Sequence, residues 1–121
     1  MLIFIRSLWT WGVSALLILT WLPVMAVSYV FDRDPVRYRT GYLMRKLGHL
    51  MTIVNPMWKI RIQGTFPENP RLPYVVVSNH QSNADIPVIS RVPWEMKWVG
   101  KSNLFKLPVV GWMMHMSADI P

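Results

Sequence analysis

From Ser7 to Phe31 the chain carries no charged residue. Coiled as a helix, that run is roughly 37 Å long at about 1.5 Å per residue. The hydrocarbon core of a bilayer is about 30 Å thick. The run therefore reads as a membrane-associated helix, and a large part of this 121-residue chain is unavailable for a water-soluble core. The rest supplies a globular unit of about 60 residues, small enough to be marginal on its own. A cleaved signal peptide is the alternative for the first segment. The run is longer than a usual signal core, and Trp9, Trp11, Trp21 and Tyr29 punctuate it. The stretch Pro23-Val24-Met25-Ala26-Val27-Ser28 is a weak cleavage site, so an uncleaved anchor is the reading adopted. Arg6 and the amino terminus flank one side, and Arg33, Arg37, Arg39, Arg45 and Lys46 the other. By the positive-inside rule the second side is cytoplasmic, which predicts a cytoplasmic (inner) membrane location with the remaining chain on the cytoplasmic face.

The net charge of +7 narrows the partners. Its basic residues crowd after the apolar run, with Lys59 and Arg61 extending the cluster. Juxtamembrane cations attract anionic headgroups by about 1 kcal/mol each. No nucleic-acid motif accompanies the charge, so membrane lipids are the expected partners and nucleic acid is not. Cysteine is absent, which excludes disulfides, thiolate nucleophiles and thiolate metal sites.

Along the chain, residues 36–54 read as an amphipathic helix, with Leu43, Leu47, Leu50, Met51 and Val54 at helical spacing and Asn55-Pro56 as its stop. This helix suits the membrane interface. Residues 57–63 alternate apolar and polar, which predicts a half-buried strand. The proline-rich stretch 64–73 is a loop. Tyr74-Val75-Val76-Val77 predicts a strand buried on both faces. Residues 84–91 form a short helix, 96–99 a third strand, and 103–116 a helical stretch broken at Pro108, which opens its second half. Residues 117–121 approach another strand. Strands separated by helical stretches predict an α/β layer. The expected organisation is a membrane anchor over 1–56, made of a hydrophobic and an amphipathic helix, followed by an αβ unit over 57–121.

The stretch most suggestive of chemistry is Val77-Ser78-Asn79-His80-Gln81-Ser82-Asn83-Ala84-Asp85. It lies where the predicted buried strand gives way to a helix, a usual place for sites in open α/β sheets. On one continuous helix His80 and Asp85 would stand about 140° apart, so a turn must bring them together. Gln81-Ser82-Asn83 supplies turn chemistry, and Ser82 or Asn83 can cap the helix that follows. A histidine with a carboxylate neighbour is a general base whose tautomer is fixed. The natural nucleophile is then a substrate hydroxyl. Neither Ser78 nor Ser82 sits in a G-x-S-x-G elbow. His49 and His115 lack metal-ligand spacing, so no metal is expected.

Two blocks carry a family resemblance. N-H-Q-S-N-A-D-I-P at 79–87, followed by G-K-S-N-L-F-K-L-P-V-V-G-W-M-M at 100–114, resembles the glycerolipid acyltransferase family, which includes 1-acylglycerol-3-phosphate acyltransferases. The resemblance runs from about Trp58 to the end of the chain. It implies that His80 deprotonates the acceptor hydroxyl, that Asp85 holds His80, and that Lys101 helps place an anionic part of a substrate. It also implies acyl-CoA or acyl-carrier protein as co-substrate, with no bound cofactor. The implied reaction acylates 1-acylglycerol 3-phosphate to phosphatidic acid, a step of phospholipid biosynthesis. Glycerol 3-phosphate or another lysolipid are alternative acceptors. Leu104, Phe105, Leu107 and Trp112-Met113-Met114 line an acyl groove or pack as core.

The family also carries an F-P-E-G-T-R-type block whose arginine binds the acceptor phosphate. Here only Phe66-Pro67-Glu68-Asn69 imitates it, ahead of the histidine motif and within the proline-rich loop. The chain accordingly reads as the N-terminal part of such an enzyme, inactive or very weak by itself. A non-catalytic membrane-surface protein and a lipid hydrolase are the rival classes. Acyl transfer excludes the first, and free fatty acid as product marks the second.

Overall fold

The computed structural model describes all residues from Met1 to Pro121, and most of its regular structure is helical. The uncharged run lies within one helix, α1 (Leu2–Phe31), long and apolar enough by length and composition to cross a membrane. Its apolar window has a mean hydropathy of 2.0. Thr10 and Thr20 donate their hydroxyls to the carbonyls of Arg6 and Leu16, at 2.9 and 2.8 Å. Both polar groups are thereby satisfied within the helix, as an apolar surrounding requires. The amphipathic segment forms α2 (Tyr38–Ile53).

The two helices make an antiparallel hairpin, and its ties record the register. Trp9 Nε1 donates to the Val54 carbonyl at 3.0 Å. Trp21 Nε1 donates to the Leu43 carbonyl at 3.0 Å. Ser28 and Thr40 share a hydroxyl contact at 3.2 Å. Asp32 closes the corner. Its carboxylate accepts the Thr40 N–H and hydroxyl, both at 2.9 Å, and the Asp34 N–H at 3.2 Å. Burial opposes ionisation of Asp32, but the bonds from Thr40 and Asp34 and the nearby Arg37 outweigh it and hold the carboxyl below its usual range. Arg37, in the left-handed region at φ 52°, donates to the Tyr29 and Asp32 carbonyls and lies 4.2 Å over the Tyr29 ring.

A short helix α3 (Asp85–Ile89) packs on α2. Farther on, a 3₁₀ turn (Leu104–Lys106) leads into α4 (Val110–Met116). The core joins three helices through Met25 of α1, Leu47 of α2 and Met113 of α4, with Trp21, Leu22 and Leu43 packed around them. Pro108 does not open α4. Val110 N–H reaches back to the Pro108 carbonyl at 2.8 Å around Val109 at φ 65°. That is a γ-turn, and it delays the helix by two residues.

The α/β expectation is corrected here. No strand forms over 57–63, 74–77 or 96–99, nor over 117–121. A strand exists only by pairing with a neighbour about 4.8 Å away, and nothing in this chain pairs with 57–63 or 74–77. Val75 and Val77, expected inside, stand 93% and 88% exposed. Trp58 and Ile60 are half-buried, but Ile62, the third apolar position of the alternation, is exposed. One trace of a sheet remains, an isolated parallel bridge between Val99 and Ile120. There the Ile120 N–H donates to the Trp98 carbonyl and the Gly100 N–H to the Ile120 carbonyl, both at 2.8 Å.

Candidate active site

The turn demanded by the spacing of His80 and Asp85 is present. Asp85 opens α3, and its Oδ2 accepts the backbone N–H groups of Gln81 and Ser82 at 2.8 and 2.9 Å. The same oxygen lies 3.2 Å from His80 Nδ1. The Ser82 hydroxyl accepts the Ala84 N–H at 3.2 Å, and the Ser82 carbonyl accepts the Asp85 N–H at 3.0 Å. Ser82 thus ties the turn rather than capping the helix, since Ala84 holds the cap position and neither Ser82 nor Asn83 makes a side-chain cap bond. One carboxylate oxygen therefore organises the whole loop and orients the imidazole.

The electrostatics follow from this geometry. The Ser82 and Gln81 N–H groups hold the Asp85 carboxyl below its usual range, with His80 adding to the effect against a smaller desolvation penalty. An ionised carboxylate only accepts hydrogen bonds. Nδ1 of His80 must then carry the proton, which leaves Nε2 of the neutral ring as a free base. The histidine side chain is 54% exposed and the aspartate 33%, so the pair is open to an incoming substrate. This pair can accept a proton from a hydroxyl and return it to a leaving group.

Lys101, the third candidate, is exposed and makes no hydrogen bond or ion pair with either residue. The candidate acyl-groove residues divide. Phe105, Met113 and Met114 are buried core, whereas Leu104, Leu107 and Trp112 keep large exposed areas. His115 packs edge-on against Phe105 at 5.1 Å between ring centres.

The charge reading needs correction at two positions, Arg45 and Arg37. Arg45 is buried, pairing through Nη2 with Asp119 Oδ2 at 3.2 Å and lying 5.1 Å from the Trp98 ring centre. Asp119 also accepts the Trp98 N–H and the Ser117 hydroxyl, each at 2.9 Å. Glu95, buried beside them, pairs with Lys97 at 2.6 Å. Burial raises its carboxyl above the usual range against the pull of Lys97 and Arg45. Arg37 is bound to carbonyls at the hairpin corner. Two of the five juxtamembrane cations are thus committed inside the molecule. The periodicity of α2 could not show this, because Arg45 looks like any solvent-facing arginine until Asp119, far along the chain, is placed over it.

The histidine and the carboxylate that orients it thus sit on a short loop that opens α3, which packs on α2 of the helical hairpin. Residues 59–121 match the Acyltransferase family, and the chain belongs to that family. It is similar to the chloroplastic 1-acyl-sn-glycerol-3-phosphate acyltransferase of Arabidopsis thaliana, 32% identical over 112 residues that cover 91% of this chain and 31% of the relative. The corresponding chloroplastic protein of Brassica napus is 33% identical over 112 residues, covering 91% of this chain and 32% of its own. A 1-acyl-sn-glycerol-3-phosphate acyltransferase of Chlamydomonas reinhardtii is 34% identical over 68 residues, 54% of this chain and 20% of the relative. The chain spans about a third of the length of the first two relatives. No solved structure matches it.

Proposed function

We propose that the protein transfers a fatty acyl group from an acyl thioester, acyl-CoA or acyl-carrier protein, to the free hydroxyl of 1-acylglycerol 3-phosphate, giving phosphatidic acid. The observation that carries the reading is the His80–Asp85 contact at 3.2 Å within a matched acyltransferase segment. Nε2 of His80 takes the acceptor's hydroxyl proton as the oxygen attacks the thioester carbonyl carbon. The tetrahedral intermediate collapses, the C–S bond breaks, and the imidazolium returns its proton to the leaving thiolate. Asp85 stays ionised throughout and stabilises the transient imidazolium. The names of the relatives support the acceptor assignment. The apolar surface of α1 supports working at a membrane. Lys101 is assigned to an anionic part of a substrate.

The test uses membranes carrying the protein as its gene encodes it, radiolabelled acyl-CoA and lysophosphatidic acid. Labelled phosphatidic acid that disappears with His80→Ala is the expected result. Labelled free fatty acid instead would identify a hydrolase. No product with either donor, or activity indifferent to His80→Ala, would reject the assignment.

A further inference from the structure

The seam between α2 and α3 gathers cations that the acyl-transfer chemistry does not use. Gly48 lets the two helices close. A Cβ there would come within 2.6 Å of Ser90 Oγ, so residues 48–49 and 90–91 lie side by side. Arg91, just past α3, donates through Nη1 to Thr52 Oγ1 at 3.2 Å, while its Nε is shielded and has no partner. Thr52 in turn donates to the His49 carbonyl at 2.6 Å. Lys46 and His49 stand one helical turn apart on α2. Burial, then Arg91, then Lys46 disfavour protonation of His49, and no carboxylate is among the groups acting on it. Three basic side chains thus converge with no acidic partner, in a protein where Arg45 and Lys97 each have one.

The same side of α2 runs into an apolar groove. Ile53 follows His49 by one turn and lines, with Ile5, Trp9, Val54, Pro56 and Arg6, an open groove of about 400 Å³ between the two ends of the hairpin. A cationic cluster contiguous with an apolar groove complements a ligand bearing both a phosphate and a hydrocarbon chain. We infer that Lys46, His49 and Arg91 bind the phosphate of a membrane phospholipid, with part of its acyl chain against Ile53 and Trp9. This site lies at the α2 side of α3, whereas the His80–Asp85 pair belongs to the loop that opens it. It goes beyond the acyl-transfer proposal and does not depend on it. Lys59 and Arg61, two further cations without an ion partner, lie on an irregular segment.

The test follows the His49 imidazole resonances by NMR in the full-length protein in detergent micelles, with His115 as the internal reference. Three probes are titrated: dihexanoylphosphatidic acid, inorganic phosphate and dihexyl glycerol, which lacks the phosphate. The expected result is a saturable His49 shift with the phospholipid at concentrations at least tenfold below those at which inorganic phosphate acts, and none with the neutral lipid. Lys46→Gln and Arg91→Gln should each weaken it at least tenfold, while Lys59→Gln and Arg61→Gln, with the same loss of charge, leave it unchanged. Lys46 is exposed and makes no structural bond, so its variant keeps the test valid if loss of the Arg91–Thr52 bond disturbs folding. Equal response to inorganic phosphate would make this a plain anion site and overturn the lipid assignment. Equal weakening by Lys59→Gln, or no His49 shift at all, would overturn the site. Acyl transfer plays no part in the readout, so failure here and failure of the proposed function are separable.

Discussion

At the residue scale, the single oxygen Asp85 Oδ2 does three jobs: it holds two loop N–H groups and the His80 ring. That division of labour separates two substitutions. Asp85→Asn retains an oxygen that can accept the Gln81 and Ser82 N–H groups but no longer favours the Nδ1–H tautomer. It should leave the loop folded and lower kcat by as much as about 10⁴-fold. Asp85→Ala should lose the loop as well, seen as faster proteolysis between residues 79 and 85. His80→Ala should cost about 10²–10⁴-fold in kcat with the protein still folded, as removal of a general base does. Comparing kcat and KM for the three variants checks this. The pH dependence has a definite sign. The folded Asp85 carboxyl is held below its ordinary value, so its contribution to the loop is complete above about pH 4 and is lost as pH falls through the lower, folded value. Between pH 5 and 8, Asp85→Asn should therefore lower the whole rate profile, with no carboxylate step belonging to Asp85 in that range. The identity of this pair was legible in the sequence because motif and turn chemistry are local. The assignment of helix-cap duty to Ser82 or Asn83 was not, because a hydroxyl in a tight turn bonds whichever N–H the turn presents first.

At the element scale, the helices were legible and the strands were not. Helical hydrogen bonds close within four residues, so the apolar spacing of α2 carries its own evidence. A strand's hydrogen bonds are made to another segment. The valines of 74–77 favour the pleated conformation without being able to provide its partner. The hairpin makes its own prediction. At Gly41 an added Cβ would collide with Glu95 Oε1 and Lys97 Nζ, and at Gly48 with Ser90. Gly48→Ala should destabilise by about 1–3 kcal/mol through overpacking, and Gly41→Ala by less, because the atoms met there are the movable ends of the Glu95 and Lys97 side chains. Gly12, with open space around it, should tolerate alanine. Thermal unfolding in detergent, followed by tryptophan emission, ranks the three. Unequal loss at Gly41 and Gly12 in the opposite order would contradict the packing described.

At the scale of the whole molecule, the Arg45–Asp119 pair joins α2 to the segment after α4 and, through the Trp98 N–H, to the beginnings of a sheet at Val99 and Ile120. Removing one partner of a buried pair leaves a desolvated charge and costs about 3–5 kcal/mol. Arg45→Met alone should show a loss of that order. Adding Asp119→Asn, which can still accept from Trp98, should recover part of it. A purely additive double variant would mean that the two residues do not interact. The sequence by itself determined the long apolar first helix, the amphipathic second helix, the His80–Asp85 pair and the family to which the chain belongs. Each of these rests on residues close in sequence, or on a motif whose spacing is fixed by the chain. Tertiary structure decided which cations remain free, with Arg45 and Arg37 committed internally and Lys46, His49 and Arg91 left to converge, and it decided which extended segments pair. Burial, ion pairing and strand pairing depend on partners many residues away, and a partner's position is a property of the fold.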